Sequence, residues 1–383
     1  MPVTPLADLP QAWLAWHVST AHSCDTRSHA AFQKHILNKT MTRFRPICIS
    51  FLLLLIAPVM SGCTGGGTAP IVNQQKQALE DTRPKRSFEF VYSAKINHLP
   101  QRTGVALQPR EIRVWFPIPQ SDDNQKISFM EIKAPSAYTL HKEPVYNNEI
   151  AFFELRGALP QEIDLEMRFR ATRYEDRKEV DPEFPHEKAI QFLQPSRLGA
   201  IIPEVEDIAT RIRNTRRDSQ SQMHEAYNYV LNNMEYKKEG TGWGRGDTRW
   251  ACSARYGNCT DYHALFIALA QTLGTPAVFE IGFPISQDKK EGIVSGYHCW
   301  AHFYLKEKGW VPIDASEAYK NPSKREYFFG AHDTNRVKFT TGRDIWLVPR
   351  QKGEPLNYFI YPYVEVDGIP HEEMELEFSF KDL

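Results

Sequence analysis

An α+β fold, in which an antiparallel β-sandwich leads into a mixed helical and stranded domain, is predicted by three observations. Apolar and polar residues alternate between residues 88 and 175, the period changes to that of a helix after Pro203, and alternation returns from Trp300 onward. Period two sends successive side chains to opposite faces of a strand, whereas a 3.6-residue period lays them along one stripe of a helix. With 383 residues and 42% hydrophobic content, the chain is long enough to bury two sizeable cores. Aromatic residues at 12% and 26 prolines fit a folded chain rich in strands and turns. Lys plus Arg number 46 against 47 for Asp plus Glu, so no net field favours nucleic acid or an anionic membrane face.

The amino-terminal segment has its own logic. Arg43 and Arg45 precede an apolar run over residues 47–60. That run is shorter than the roughly 20 residues a bilayer span needs, and matches the basic start and 7 to 15 residue apolar stretch of a secretory signal. Val59, Met60, Ser61, Gly62 and Cys63, followed by Thr64 and Gly65 to Gly67, resemble a bacterial lipobox. The resemblance implies that Cys63 becomes the first mature residue and carries acyl chains, which anchors the protein to a membrane. Residues 1–62 are therefore expected to be a pre-sequence and lipoprotein signal peptide, with translation starting at Met41. The expected location is the bacterial cell envelope, lipid-anchored and facing the periplasm. Residues 63–87, polar and without an apolar period, are expected to form a flexible tether.

The elements of the body follow in order. Phe88, Phe90 and Tyr92, then Ile112, Val114, Phe116 and Ile118, then Ile163, Leu165, Met167 and Phe169 each alternate with polar or smaller residues. They predict a β-sandwich domain over 88–175. Met223, Ala226, Tyr227, Val230 and Leu231 share one stripe of a helix that Ser219 is placed to cap. A second helix follows Cys259 and stops at Gly274 and Pro276. A catalytic domain is expected over 180–320. A C-terminal β extension over 321–383, ending in the alternation Met374, Leu376, Phe378, Phe380, is expected to pack on it.

The chemistry centres on Cys259. A thiolate attacks an amide carbonyl well, but an ordinary cysteine is mostly protonated at neutral pH. A helix amino terminus lowers a thiol pKa through its free N–H groups and macrodipole, and Gly257 and Asn258 turn the chain into a helix at Cys259. The same N–H groups, that of Cys259 included, can hold an oxyanion. A thiolate also needs an imidazole and a group that orients it. His298 opens a strand and Asp314 closes the next. The two share a face if the turn around Lys306, Glu307 and Lys308 has an odd number of residues; a four-residue turn including Gly309 would separate them unless a bulge compensates.

These residues carry a family resemblance. Gly257-Asn258-Cys259-Thr260-Asp261-Tyr262-His263, Leu273-Gly274-Thr275-Pro276-Ala277, Tyr297-His298-Cys299-Trp300-Ala301 and Gly309-Trp310-Val311-Pro312-Ile313-Asp314 closely resemble, in order and spacing, the bacterial transglutaminase-like domains. The resemblance implies a papain-like (transglutaminase-core) fold and a catalytic triad of Cys259, His298 and Asp314. It further implies a peptide or protein amide substrate, cleaved or transferred through an acyl-enzyme. One departure is His302, where many relatives carry an acidic residue.

Several of these positions admit a second reading. His263, one turn beyond Cys259, competes with His298 as base or takes a packing role. Trp250 and Trp243 are candidates to offer an indole N–H to an oxyanion, with packing as the alternative. The run Gly240, Gly242, Gly244, Gly246 is no phosphate loop and reads as a flexible cleft rim. Cys252 and Cys299 either pair or lie separately buried. The soft ligands Cys252, Cys259, His263, His298 and Cys299 lack the tight spacing of a zinc site, so no metal and no cofactor is expected. The contrasting functional class is a non-catalytic, surface-anchored protein that binds peptide or cell-wall polymer.

Overall fold

The computed structural model describes residues 82–99, 110–157, 160–177 and 186–383. The expected signal peptide, Cys63 and most of the tether lie outside them. Among the described residues no helix is long and apolar enough to cross a membrane.

Three antiparallel sheets organise the chain. The first runs Glu291–Ile293, Met374–Asp382, Lys85–Ile96, Ile163–Tyr174, Gln125–Lys133. The second runs Ile369–His371, Tyr363–Val366, Arg110–Ile118, Glu149–Gly157, Thr139–Lys142. The third, which holds His298 and leads to Asp314, runs Gly309–Ile313, His298–Leu305, Ala277–Pro284, Arg336–Thr341. The alternation read from the sequence is the pleat of these strands. Phe88, Phe90, Tyr92 and Ile96 face inward from one strand, and their register partners Ala171, Phe169, Met167 and Ile163 face inward from the next.

The C-terminal strands join a different partner from the one expected. Met374–Asp382 pairs along its length with Lys85–Ile96, and Tyr363–Val366 pairs with Arg110–Ile118. They complete the two amino-terminal sheets rather than packing as an extension on the catalytic region. Glu291–Ile293 also joins the first sheet, while Arg336–Thr341 extends the catalytic sheet. The physical reason is that Lys85–Ile96 would otherwise present an open ladder edge, and an apolar strand such as Met374–Asp382 has its own inward face to bury.

One apolar core runs from the first two sheets into the third. It joins Tyr92, Phe169, Phe116, Phe153 and Val364 to Phe279, Ile281, Phe283, Val337 and Phe339. Phe283 sits at the junction, with ring centroids 5.3 Å from Phe90, 5.1 Å from Phe339 and 4.3 Å from Phe378. A second core continues along the same face of the third sheet, where the helices pack. There Phe303, Leu305 and Ile313 meet Leu265, Phe266 and Leu269 of the helix Cys259–Thr272 and the helices Pro203–Thr215 and Ser219–Asn233. The cap of the last of these is Asp218, which accepts from the Ser221 N–H at 2.8 Å, one residue before the expected Ser219.

Because Phe378 bridges the last strand to Phe283, Phe378→Ala is expected to lower the free energy of unfolding by about 3–5 kcal/mol. A loss below about 1 kcal/mol in denaturant titration would mean that the terminal strand is peripheral to the core.

Candidate active site

Cys259 is the first residue of a helix that is buried on nearly every side, from Cys259 to Gln271. The turn into it is rigidly built. Asn258 Oδ1 accepts the Thr260 N–H at 2.8 Å, and the Asp261 carboxylate accepts the Asn258 N–H at 2.9 Å, which together make a capping box. Gly257 is required here, since a Cβ on it would lie 2.2 Å from Asp261 Oδ2. The cap uses the N–H groups of Thr260 and Asp261, and that of Cys259 lies outside this set.

The hairpin between the histidine strand and Gly309–Ile313 pairs Leu305 with Gly309, so three residues form the turn. With that odd number, Asp314 falls on the same face as Trp300 and His298. His298 Nε2 lies 2.8 Å from Asp314 Oδ2, which leaves Nδ1 for the sulfur. The thiol of Cys259 lies beside His298 and Cys299, both of which favour its charged form. The structure thus brings Cys259, His298 and Asp314 together, all buried at 2%, 4% and 0% exposure.

Asp314 is held from every side. Oδ2 accepts from His298 and from Arg336 Nη1 at 2.9 Å; Oδ1 accepts from Ser316 Oγ at 3.1 Å and from the Glu317 N–H at 2.9 Å. Burial works against its charge, but His298 and Arg336 hold the carboxyl well below the usual carboxylate range. Burial likewise opposes a charged His298, yet the Asp314 charge and hydrogen bond raise the ring to about 9. For Cys259, burial pushes the thiol up, while the hydrogen bonds from Cys299 and His298 and the imidazolium charge bring it well below its ordinary value. The favoured state is a thiolate and imidazolium pair. Cys299 itself is pushed up by burial and by the Cys259 sulfur, so it stays a thiol, and its Sγ lies 3.7 Å from Thr260 Oγ1.

Three neighbours were not legible as parts of the site. Arg336, 22 residues beyond Asp314, also lies 4.9 Å over the Trp300 ring. Cys299 is a free thiol, as are Cys252 and Cys259, so the open question of a Cys252 and Cys299 pair resolves as two separate thiols. Tyr236, on a short strand paired with Tyr256–Gly257, is half-buried beside the sulfur, and Lys320 lies 4.3 Å over its ring. His263 takes a structural role. Nδ1 donates to the Cys259 carbonyl at 2.7 Å and Nε2 accepts from the Ala315 N–H at 3.1 Å, which defines a neutral tautomer. Burial depresses its pKa further.

The expected oxyanion role of the two tryptophans is corrected. Trp243 Nε1 donates to the Gly240 carbonyl at 3.1 Å and Trp250 Nε1 to the Tyr256 carbonyl at 3.2 Å, so both indoles satisfy local backbone. A Cβ on Gly242 would come within 2.7 Å of the Trp250 ring, so indole and glycine are packed together. The glycine run is not a loose rim either. Asp261 accepts from the N–H groups of Gly244 and Gly246, at 2.6 and 3.0 Å, and Arg343 donates to the Gly246 and Arg245 carbonyls, each at 2.9 Å.

A helix-borne cysteine facing a histidine strand defines the class, and comparison with known proteins agrees with it. Residues 206–315 match the transglutaminase-like superfamily. A protein of Cytophaga hutchinsonii described as a candidate cysteine protease superposes with a TM-score of 0.52 at 15% identity, over 78% of this chain and 92% of that one. The periplasmic domain of TgpA from Pseudomonas aeruginosa gives a looser TM-score of 0.32, at 15% identity over 66% of this chain and 96% of that one. An uncharacterized protein of Haemophilus influenzae is 31% identical over 176 residues, 38% of this chain and 48% of that protein. The chain thus spans about half the length of the curated relative it matches. The fold is α+β with antiparallel sheets and a papain-like, transglutaminase-type core, the fold of a cysteine enzyme.

Since Cys259 is held as a thiolate and burial pushes Cys252 up to about 11, iodoacetamide at about pH 6 is expected to label Cys259 at least 100-fold faster than Cys252. Peptide mapping that finds equal labelling would contradict the ion pair.

Proposed function

We propose that the protein is a cysteine protease or amidase working through an acyl-enzyme. The observation that carries this reading is the His298 Nε2 to Asp314 Oδ2 bond of 2.8 Å behind an imidazole that shares its proton with the Cys259 sulfur. Cys259 Sγ attacks the amide carbonyl carbon, and the electron pair of the C=O bond moves to oxygen. The Cys259 N–H, at the first residue of the helix, is the donor assigned to that oxyanion. On collapse the C–N bond breaks, and His298 gives its proton to the departing amine. Water, deprotonated by His298, then releases the acid and restores the thiol. An amine in place of water would make the same residues a transferase.

Asp314 serves throughout by holding His298 in one tautomer and favouring its charge. Tyr236 and Lys320 are the more exposed groups beside the sulfur, and their side-chain rotation opens the approach to a carbonyl group.

The 2% exposure of Cys259 is the observation that favours the contrasting reading, a surface-anchored protein that binds peptide or cell-wall polymer without turning it over. Activity separates the two. Cys259→Ala is expected to retain the fold and reduce amide hydrolysis by about 10⁴-fold or more. Wild-type kcat/KM is expected to fall above about pH 9 as His298 loses the proton the leaving amine needs, and Asp314→Asn should move that limb to lower pH. Hydrolysis retained by Cys259→Ala would refute the mechanism.

The proposed location is the periplasmic side of the cell envelope, through lipid on Cys63. Cys63→Ser is expected to move the protein from the membrane fraction to the soluble fraction and to abolish incorporation of labelled palmitate; unchanged fractionation and labelling would refute the anchor.

A further inference from the structure

Behind the triad lies a second cluster with no part in the proposed chemistry. Asp176 follows the strand Ile163–Tyr174, and an isolated backbone bridge joins it to His332, each N–H donating to the other's carbonyl at 2.9 Å. His302 reaches the same point from the histidine strand, about 13 Å along from His298. His302 Nε2 lies 2.9 Å and His332 Nδ1 3.8 Å from Asp176 Oδ2, and one ligand atom from each of the three residues lies within 4.8 Å of the other two. All three side chains are buried. Asp176 Oδ1 and His332 Nδ1 have no hydrogen-bond partner among the described residues, a costly state for buried polar atoms.

We propose that Asp176, His302 and His332 bind a zinc ion through two imidazoles and one carboxylate. Ligands about 2.0–2.1 Å from a tetrahedral zinc stand roughly 3.3 Å from one another, between the two separations observed. The outer nitrogens are already placed as a metal-binding pair requires. His332 Nε2 faces the Ile313 carbonyl at 2.9 Å; a carbonyl only accepts, so Nε2 carries the hydrogen and Nδ1 presents its lone pair to the cluster. His302 Nδ1 faces Glu280 Oε2 at 3.4 Å, and the metal-bound form needs its proton there, which leaves Nε2 as the ligand. Glu280 is itself fixed by Trp300 Nε1 at 2.7 Å.

Of the cations near the cluster, Lys338 is engaged by Asp122 at 2.6 Å and by Glu280 at 3.3 Å, and Arg336 by Asp314 at 2.9 Å and by Asp333 at 3.2 Å, so Asp176 is the carboxylate left to a metal. A cavity of about 320 Å³ touches Asp176, His302, Glu280, Lys338 and Arg173, and gives the fourth coordination position access to water. Zinc here ties the end of a sandwich strand to the histidine strand and to the segment whose His332 holds the carbonyl next to Asp314. The site is independent of the sulfur.

The test uses the full chain with Cys259→Ala, which removes the reactive thiol as a competing ligand. After chelator treatment, titration with zinc is expected to load one ion per chain with a Kd on the order of 1 μM or tighter, and saturating zinc to raise Tm by about 5 °C. His332→Ala and Asp176→Asn should each weaken binding at least about 100-fold, and the outer-shell Glu280→Gln about 10- to 100-fold. Cobalt in place of zinc should give d–d absorption without a thiolate charge-transfer band, a readout that needs none of these three variants to fold. Absence of stoichiometric zinc, binding unchanged by His332→Ala, or a thiolate band pointing to Cys252 or Cys299 would overturn the proposal.

Discussion

The carboxylate of Asp314 is the group on which the site depends. Burying ionised groups in apolar surroundings is unfavourable unless each charge meets a partner in good geometry. Asp314 supplies that partner to both cations, accepting from His298 on one side and Arg336 on the other. It also caps the short helix Ala315–Lys320 through the Glu317 N–H. A single side chain thereby sets the imidazole tautomer and the direction of the chain that follows. The neutral His263 connects this point to the nucleophile helix, accepting from Ala315 and donating to the Cys259 carbonyl.

Cys259 is positioned by backbone and packing together. A helix apolar on all faces is stable only inside a core, and Cys259–Thr272 lies between the neighbouring helices and the catalytic sheet. Its first turn is held by Asn258 and Asp261, and the same Asp261 carboxylate pins the glycine segment. What reads in sequence as flexible glycine is in the structure a tightly bonded shoulder of the site. The glycines there serve positive φ and close approach, as at Gly242 against Trp250.

The amino-terminal sheets do more than precede the catalytic region. Through Phe283, Phe339 and Phe378 they share one core with the catalytic sheet, so the back of the histidine strand is supported by residues from both ends of the chain. The cluster of Asp176, His302 and His332 lies on the face of the histidine strand that carries Trp300, whose ring touches both His332 and Arg336.

By itself the sequence determined whatever depends on near neighbours. The alternation of Phe88 to Tyr92 and of Ile163 to Phe169, the turn at Gly257 and Asn258 and the helix start at Cys259 are all local, because side-chain direction follows from backbone period. The length of the turn between His298 and Asp314, by contrast, was open until the pairing of Leu305 with Gly309 fixed it at three residues. Only the tertiary structure decided which strand covers Lys85–Ile96, that both indole N–H groups bond local backbone, that Cys299 lies beside the sulfur, that Arg336 neutralises Asp314, and that His302 meets Asp176 from 126 residues away. Those contacts join segments whose separation leaves no periodic trace, and burial and charge pairing select them once the sheets have closed.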